Sequence, residues 1–235
     1  MKTFFAHQSV GANILTGLQE LTGPERTAVH VLDLTRAHEP HSAQPLLIIH
    51  EQIGVNREPL TKIAAFRERL NAKHRLEVDV AMLKFCYVDI STRHDAETLW
   101  KHYEAAIEQL STDRPGVQLV HCTVPLRSLP EGPYAGLRRA LGHRHPAIVA
   151  NRARDWFNQQ LRARFGTGHD LFDLAAVQSR RPDGRPCELV DGDTRVPSLA
   201  RDWTYDGGHL NEPGRTMAAA AFLEFLQTLQ DLRKR

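Results

Sequence analysis

The chain has 235 residues, which is enough for one compact domain with a full hydrophobic core, and we expect a single domain over residues 1–235. Hydrophobic residues make up 41% of the chain and charged residues 25%, so the composition is that of an ordinary globular protein. The formal net charge is only +2. Charge therefore gives no sign of nucleic-acid or membrane binding, and we expect neither partner.

The three cysteines, Cys86, Cys122 and Cys187, do not have the spacing of a zinc or redox motif. Two of them lie in apolar runs, where a free cysteine packs as a small hydrophobic side chain, so a reducing compartment is expected. The apolar run 4–6 is far too short for a signal peptide, and no stretch approaches membrane-spanning length. We therefore expect a cytoplasmic protein, with a removed leader as the alternative.

Short apolar runs alternate along the chain with longer segments of helical period. The runs predict strands over residues 3–6, 29–34, 78–87, 117–124 and 171–174. A helical pattern follows each run. The second helix is predicted to begin at Pro59 and the last at about Pro213. The polar stretch before Pro59 is interrupted by an apolar patch over 46–49.

This alternation implies parallel strands joined by right-handed crossovers. The sequence therefore predicts an α/β protein, a three-layer α/β/α sandwich with a five-stranded, flavodoxin-like parallel sheet. In such a fold ligands bind at the carboxyl ends of the strands. The loops expected to carry function are residues 7–11, 35–58, 88–94, 125–147 and 175–209.

Ser9 follows the first strand at the expected start of the first helix. Its hydroxyl would cap that helix in the simplest interpretation. In the functional interpretation, the hydroxyl faces substrate at the edge of the sheet, where free backbone N–H groups at the helix N-terminus stabilise an oxyanion. Gly11 would allow the backbone to approach a ligand closely.

A second candidate segment, residues 205–214, precedes the last helix. Asp206 and His209 lie three residues apart in a glycine-rich turn. This spacing can place the carboxylate on one imidazole nitrogen and leave the other nitrogen to accept a serine proton. The alternative is a plain Asp-Gly-Gly turn with a capping histidine. The segment is not accompanied by further ligands at the spacing of a metal site, so a metal site is not indicated.

The order of these segments resembles the SGNH hydrolases, also called GDSL-like lipases and esterases. That family places a nucleophilic serine after its first strand and an Asp-x-x-His motif before its C-terminal helix, as Ser9 and Asp206-Gly207-Gly208-His209 do here. The helix carrying Asn158 and the strand over 171–174 also resemble the family's penultimate elements. The resemblance implies an SGNH-type sandwich with a catalytic triad of Ser9, His209 and Asp206. The position of Ser9 near the N-terminus differs from that of the nucleophile in α/β-hydrolases, whose Gly-x-Ser-x-Gly elbow lies in mid-chain.

Two blocks depart from the family pattern. The usual Gly-Asp-Ser reads His7-Gln8-Ser9 here, and the asparagine that helps bind the oxyanion is replaced by Val88. The resemblance implies an oxyanion hole formed by the backbone N–H groups of Ser9 and Gly54. We further expect the Asn56 amide to substitute for the missing asparagine.

Two further residues are candidates for substrate binding. His7 lies two residues before Ser9, and the alternative is a buried histidine bonded to the backbone. The family counterpart of Asp89 holds active-site loops by hydrogen bonds, and a plain turn residue is equally compatible with the sequence.

The sequence thus predicts a serine esterase acting on a small acyl ester, such as an O-acetyl group on a sugar or metabolite, without cofactor or metal. The alternatives are an acyltransferase using the same triad and a non-catalytic binding protein on this scaffold. A cluster of arginines after the fourth predicted strand indicates either recognition of an anionic substrate or a solvated surface. Its members are Arg127, Arg138, Arg139 and Arg144.

Overall fold

Six parallel strands form the central sheet of the computed structural model, which describes residues 1–23, 29–35, 46–71, 76–129, 146–191 and 194–234. In chain order they are β1 (Lys2–His7), β2 (Val29–Asp33), β3 (Leu46–Gln52), β4 (Val80–Leu83), β5 (Gln118–Cys122) and β6 (Leu171–Phe172). Their order across the sheet is β2-β3-β1-β4-β5-β6. A separate antiparallel hairpin consists of β7 (Glu188–Asp191) and β8 (Thr194–Pro197). The helices in the described ranges are α1 (Ser9–Thr22), α2 (Pro59–Asn71), α3 (Arg93–Asp113), α4 (Pro146–Phe165), α5 (Leu174–Gln178) and α6 (Glu212–Leu232).

Helices cover both faces of the sheet. Successive side chains of β1 point to opposite faces, so Phe4 lies in one buried cluster and Phe5 in the other. The Phe4 face packs against α2, α3 and α4, with Phe66 and Phe157 in the same cluster. The Phe5 face packs against α1 and α6, where the Phe222 ring lies 5.1 Å from the Phe5 ring. The predicted three-layer α/β/α sandwich is therefore confirmed.

The predicted strand count was wrong by one. The apolar patch over 46–49, taken as an interruption of a loop, is the first part of β3, which pairs with β1 on one side and β2 on the other. Residues Leu46 to Ile49 are fully buried because β3 lies inside the sheet. By contrast, β2 is the edge strand and its side chains are only partly buried. The strand continues through the polar residues His50 and Glu51, so its apolar pattern is too short to be recognised as a strand in the sequence.

The strand order changes direction at β1. From β1 the chain adds β3 on one side and β4 on the other, so the loops leaving these three strands diverge at one edge of the sheet. Ligand sites in open parallel sheets form at such a switch point, outside the carboxyl ends of the strands. Ser9 lies at this point, two residues after the end of β1.

Close packing of α1 against α6 joins the two ends of the chain. A Cβ atom on Gly17 of α1 would lie 2.5 Å from the backbone oxygen of Arg215 in α6, so only glycine permits this approach. The side chain of Arg215 also reaches Glu20 at 2.8 Å. Since Ser9 begins α1 and His209 precedes α6 by three residues, this packing determines how close the two residues lie.

Candidate active site

Ser9 presents its hydroxyl to His209. The residue at the N-cap of α1 is Gln8, which makes no side-chain capping hydrogen bond, and Ser9 is the first residue of the helix. The Ser9 Oγ atom lies 3.1 Å from the Nε2 atom of His209. The serine is therefore not the capping residue, and its hydroxyl is within hydrogen-bonding distance of a base.

The imidazole of His209 is held from its other side by Asp206. Its Nδ1 atom lies 2.6 Å from Asp206 Oδ2. An ionised carboxylate can only accept, so Nδ1 carries the proton and the Nε2 of the neutral ring is left as an acceptor for the Ser9 hydroxyl. The structure thus brings together the three residues that the sequence proposed as a triad, in the order carboxylate, imidazole, hydroxyl.

The Asp206 carboxylate is kept ionised by its surroundings. Burial raises its pKa, but the hydrogen bonds from the His209 side chain and from the backbone N–H groups of His209 and Gly208 outweigh this effect and lower the pKa to about 2. The two backbone N–H groups donate to Oδ1 at 2.7 and 2.8 Å. A carboxylate that stays charged can stabilise a positive charge on His209 during a reaction.

Two glycines shape the turn that carries this pair. Gly207 has a positive φ of 84°, in the region that favours glycine. A Cβ on Gly208 would lie 2.7 Å from the ring of Tyr87, whose ring is edge-on to His209 at 5.8 Å. The turn is also tied to α1, because the backbone N–H of Leu210 donates to Asn13 Oδ1 at 3.1 Å. The Asp-Gly-Gly-His spacing therefore works only with glycine at both middle positions.

The loop after β3 lies beside the start of α1. The Gln8 side chain donates to the backbone oxygens of Ile53 and Gly54 at 2.6 and 3.2 Å. Gly54 has a φ of 65°, and a Cβ there would lie 2.6 Å from the Lys62 side chain, so no other residue fits. Within the described residues, the backbone N–H groups of Ser9 and Gly54 have no acceptor. Both remain available to an oxyanion.

Asp89 holds the loops around this site. Its carboxylate accepts hydrogen bonds from Lys62 Nζ at 2.6 Å, from the Cys86 backbone at 2.7 Å and from the Arg57 backbone at 3.0 Å. The Lys62 and Asp89 side chains are both fully buried. This arrangement corresponds to the loop-holding role, and contact between Asp89 and substrate stays a prediction. Arg57 adopts a positive φ of 71°, which the bond to Asp89 helps to maintain.

Asn56 is exposed and makes one contact relevant to its predicted role. Its Oδ1 accepts a hydrogen bond from Lys62 Nζ at 3.0 Å. This bond orients the amide, and its Nδ2 group has no acceptor among the residues that the structure describes. The role of Asn56 as an oxyanion donor stays a prediction. Val88, at the position of the family asparagine, cannot donate a side-chain hydrogen bond.

His7 lies in the interior, where its ring is only 1% exposed. Its Nδ1 is 2.9 Å from the backbone oxygen of Gln8, and its Nε2 is 3.2 Å from Nδ1 of His50. Burial lowers its pKa to about 3, against the opposing effect of the Gln8 hydrogen bond. These contacts correspond to the buried alternative, because both ring nitrogens are occupied and α1 covers the ring at Gly11. Substrate contact by His7 stays untested and has no support in this geometry.

Two cavities lie near the candidate site, and of the two only the smaller is lined by residues of the Asp206–His209 turn. The larger, of about 730 Å³, has Tyr87 and Val88 in its wall, and the smaller, of about 370 Å³, has Asp206 and Tyr205. Arg127 lines both, and its Nε donates to the Gly207 oxygen at 3.4 Å. The other arginines of the predicted cluster, Arg138, Arg139 and Arg144, lie outside the described residues.

Several residues that matter in this geometry were missed by the sequence interpretation. Gln8 and Lys62 connect the active-site loops, and Asn13 holds the His209 turn. Arg154 is buried against the larger cavity. A polar residue in the middle of an apolar helical face was the only available signal, and Lys62 and Arg154 both fit it. Within the described ranges, no cluster of side chains is arranged to hold a metal ion.

The fold is shared with known lipase-like proteins. No family model matches the chain, and no curated protein matches it. Among solved structures, a GDSL-like lipase by designation from Parabacteroides merdae superposes with a TM-score of 0.53 at 16% identity, covering 95% of this chain and 94% of that one. A Streptococcus pneumonia protein named for platelet activating factor superposes with a TM-score of 0.53 at 16% identity, over 96% of this chain and 83% of that one.

The chain therefore has the fold of the GDSL/SGNH lipase-like proteins, and the predicted resemblance is confirmed at that level. At such low identity the likeness concerns the fold alone. In the part of the chain that the structure describes, no helix combines the length and apolar character needed to cross a membrane.

Proposed function

We propose that the protein is a serine esterase that cleaves a small acyl ester through an acyl-enzyme on Ser9. The observation that carries the proposal is the chain of contacts from Asp206 through His209 to Ser9, with distances of 2.6 and 3.1 Å. A serine hydroxyl is a weak nucleophile unless a base accepts its proton, and the base must be in the correct tautomer. The contacts from Asp206 to His209 and from His209 to Ser9 support both conditions.

In the proposed reaction the Ser9 Oγ attacks the ester carbonyl while its proton passes to His209 Nε2. The tetrahedral intermediate then collapses, the C–O bond to the alcohol breaks, and His209 returns the proton to the leaving oxygen. Water, deprotonated by His209, then attacks the acyl-enzyme carbonyl; the bond from that carbon to Ser9 Oγ breaks, His209 returns the proton to Ser9 Oγ, and the acid is released. Asp206 stays ionised throughout and stabilises the transient imidazolium.

Three donors are proposed for the oxyanion: the backbone N–H groups of Ser9 and Gly54, and the Asn56 amide. The first two are supported by the position of both N–H groups next to the Gln8 side chain, which links the start of α1 to the loop at Gly54. The orientation of the Asn56 amide by Lys62 supports the third. Each such donor contributes about 100- to 1000-fold to the rate in known serine hydrolases.

The test is hydrolysis of 4-nitrophenyl acetate, butyrate and octanoate by the wild type, Ser9→Ala and a matched control, Ser111→Ala. Ser111 is on α3 and bonds only to its own helix among the described residues. We expect turnover and a single fluorophosphonate adduct on Ser9 by mass spectrometry in the wild type and the control, and neither in Ser9→Ala.

The alternatives give different results in the same experiment. An acyltransferase would form the adduct but would release the acid slowly. An added acceptor alcohol would then increase the rate at which 4-nitrophenol is released from the ester. A binding protein on this scaffold would form no adduct and show no turnover that depends on Ser9. The O-acetyl group of a sugar or metabolite is proposed as the substrate class, and the comparison of acetate, butyrate and octanoate esters tests the size of the acyl group.

A further inference from the structure

Arg154 is a buried cation without an acidic partner in the described part of the chain. The residue is only 3% exposed. Its Nε donates to the Tyr87 backbone oxygen at 2.7 Å, and its Nη1 donates to Asn151 Oδ1 at 2.7 Å. Both acceptors are neutral. Buried charges in proteins are normally paired with an opposite charge, because removal from water is costly.

The larger cavity concentrates this positive charge. Its described lining includes three arginines, Arg57, Arg127 and Arg154, and no aspartate or glutamate. A neighbouring cavity of about 670 Å³ differs, because its lining includes Glu58, Asp89 and Asp95. The two cavities therefore differ: the described lining of the larger one carries arginines without acids, whereas that of its neighbour mixes both charges.

The arginines also act on one another. Burial, with a smaller contribution from the positive charge of Arg127, lowers the pKa of Arg154 to about 10. The guanidinium remains charged near neutral pH. Two neighbouring cations with no carboxylate in the described lining of the cavity repel each other, and an anion bound there would offset that repulsion.

Tyr87 lies between the cavity and the proposed base, His209. The Tyr87 ring lines the cavity and is edge-on to His209 at 5.8 Å. The Arg127 guanidinium lies 5.4 Å from the centre of the same ring. Val88, at the position where the SGNH family has its oxyanion asparagine, is also in the wall. A group bound in this cavity would therefore lie against the residue whose ring contacts His209.

We propose that this cavity binds an anionic group of the substrate, a carboxylate or a phosphate, through Arg127 and Arg154. Planar guanidinium groups bind both kinds of oxyanion by paired hydrogen bonds. The substrate is then a small ester that carries a negative charge on its acyl or its alcohol part. This inference rests on the proposed esterase function for the identity of the ligand as substrate, but the anion site is testable without turnover.

The first test compares esters that differ in charge. On the acyl side, mono-4-nitrophenyl glutarate is compared with 4-nitrophenyl pentanoate. On the alcohol side, 4-acetoxybenzoate and 4-acetoxyphenyl phosphate are compared with 4-acetoxybenzamide. We expect a higher kcat/KM for an anionic ester in at least one set. The best set identifies the side of the ester and the kind of anion.

The variants Arg154→Gln and Arg127→Gln should each lower the ratio of anionic to neutral kcat/KM by roughly 10- to 100-fold. A general loss of folding or of His209 geometry would lower both activities and leave the ratio unchanged. Arg127 is only partly buried, so its variant remains informative if Arg154→Gln does not fold. Arg164→Gln, an exposed arginine at the end of the same helix α4, should leave the ratio unchanged.

The second test uses Ser9→Ala and measures calorimetric binding of glutarate and of inorganic phosphate, with and without Arg127→Gln. Binding of either anion that is lost in the double variant supports the site even if no esterase activity is found. Esterase activity of the wild type with no preference for anionic esters, or with a preference that both arginine variants leave unchanged, together with no binding of either anion, overturns the anion site and leaves the proposed function in place.

Discussion

At the scale of single residues, one carboxylate, that of Asp206, holds His209 in one tautomer. Asp206 accepts from Nδ1 of the ring and from two backbone N–H groups of its own turn. The carboxylate thus orders the turn and orients the base at the same time. These bonds lower the pKa of Asp206 and so favour the ionised form.

Replacement of Asp206 by asparagine should therefore lower kcat by about 10⁴-fold, because an amide can present its N–H to Nδ1 and stabilise the wrong tautomer. The fold should survive, since the amide oxygen can still accept from the backbone. The measurement is kcat for 4-nitrophenyl acetate with circular dichroism of the same samples. Asp202→Asn, an exposed aspartate four residues earlier, is the control. Retention of activity within tenfold would contradict the proposed role.

The predicted oxyanion donor Asn56 is testable by two substitutions at one position. Asn56→Ala removes the donor and the acceptor for Lys62, whereas Asn56→Asp keeps an acceptor but removes the N–H. We expect both to reduce kcat by about 100- to 1000-fold with little change in KM. Steady-state kinetics will show this split. If Asn56→Asp keeps wild-type kcat, the amide does not donate to the oxyanion.

At the scale of elements, the loops after β3 and β4 are joined to each other by a buried ion pair. Lys62 of α2 reaches Asp89 and Asn56, and Asp89 in turn accepts from the backbone of both loops. A fully buried lysine is tolerated because its charge is matched in place. The same helix packs against Gly54, whose backbone oxygen accepts a hydrogen bond from the Gln8 side chain, so α2, Gly54 and the start of α1 are in direct contact.

Lys62→Met should lower the free energy of unfolding by about 3–5 kcal/mol, because it leaves the Asp89 charge buried and unpaired. Urea unfolding followed by fluorescence measures the change. Lys234→Met makes the same substitution in an exposed ion pair and should change stability by less than about 1 kcal/mol. Equal effects of the two substitutions would mean that the buried pair does not hold the loops.

At the scale of the whole molecule, two histidines buried on the sheet make stability depend on pH. His7 and His121 each have a pKa lowered to about 3, in both cases chiefly by burial. His121 also contacts the Tyr103 hydroxyl at 2.7 Å. In the unfolded chain both take up a proton near pH 6.5, so the unfolded state binds more protons between pH 6.5 and 3.

The folded state should therefore lose stability as the pH falls through this window. From pH 7.5 to 5.0 the loss should be about 2 kcal/mol for each histidine, or about 4 kcal/mol together. Urea unfolding at the two pH values provides the test. His121→Gln should remove about half of the difference, whereas His94→Gln, at an exposed position on α3, should leave it unchanged. A difference that is unaffected by His121→Gln would rule out this origin.

Much of the fold was predictable because it is encoded in local patterns. The helix that begins at Pro59 and the last helix after Asn211 lie where the sequence placed them, since proline and capping residues act within one turn. Strand β3 was not predictable in the same way. Its apolar part is only four residues long, and its position between β1 and β2 depends on pairing with distant segments.

The sequence by itself predicted the layered α/β architecture, because periodicity is a local property, and its resemblance to the SGNH hydrolases singled out Ser9, Asp206 and His209. Only the tertiary structure decided that Ser9 Oγ lies 3.1 Å from a histidine 200 positions later, through the packing of α1 on α6. It also decided which polar side chains are buried. Whether Lys62 meets a carboxylate, or Arg154 meets none among the described residues, depends on the three-dimensional neighbours of each charge.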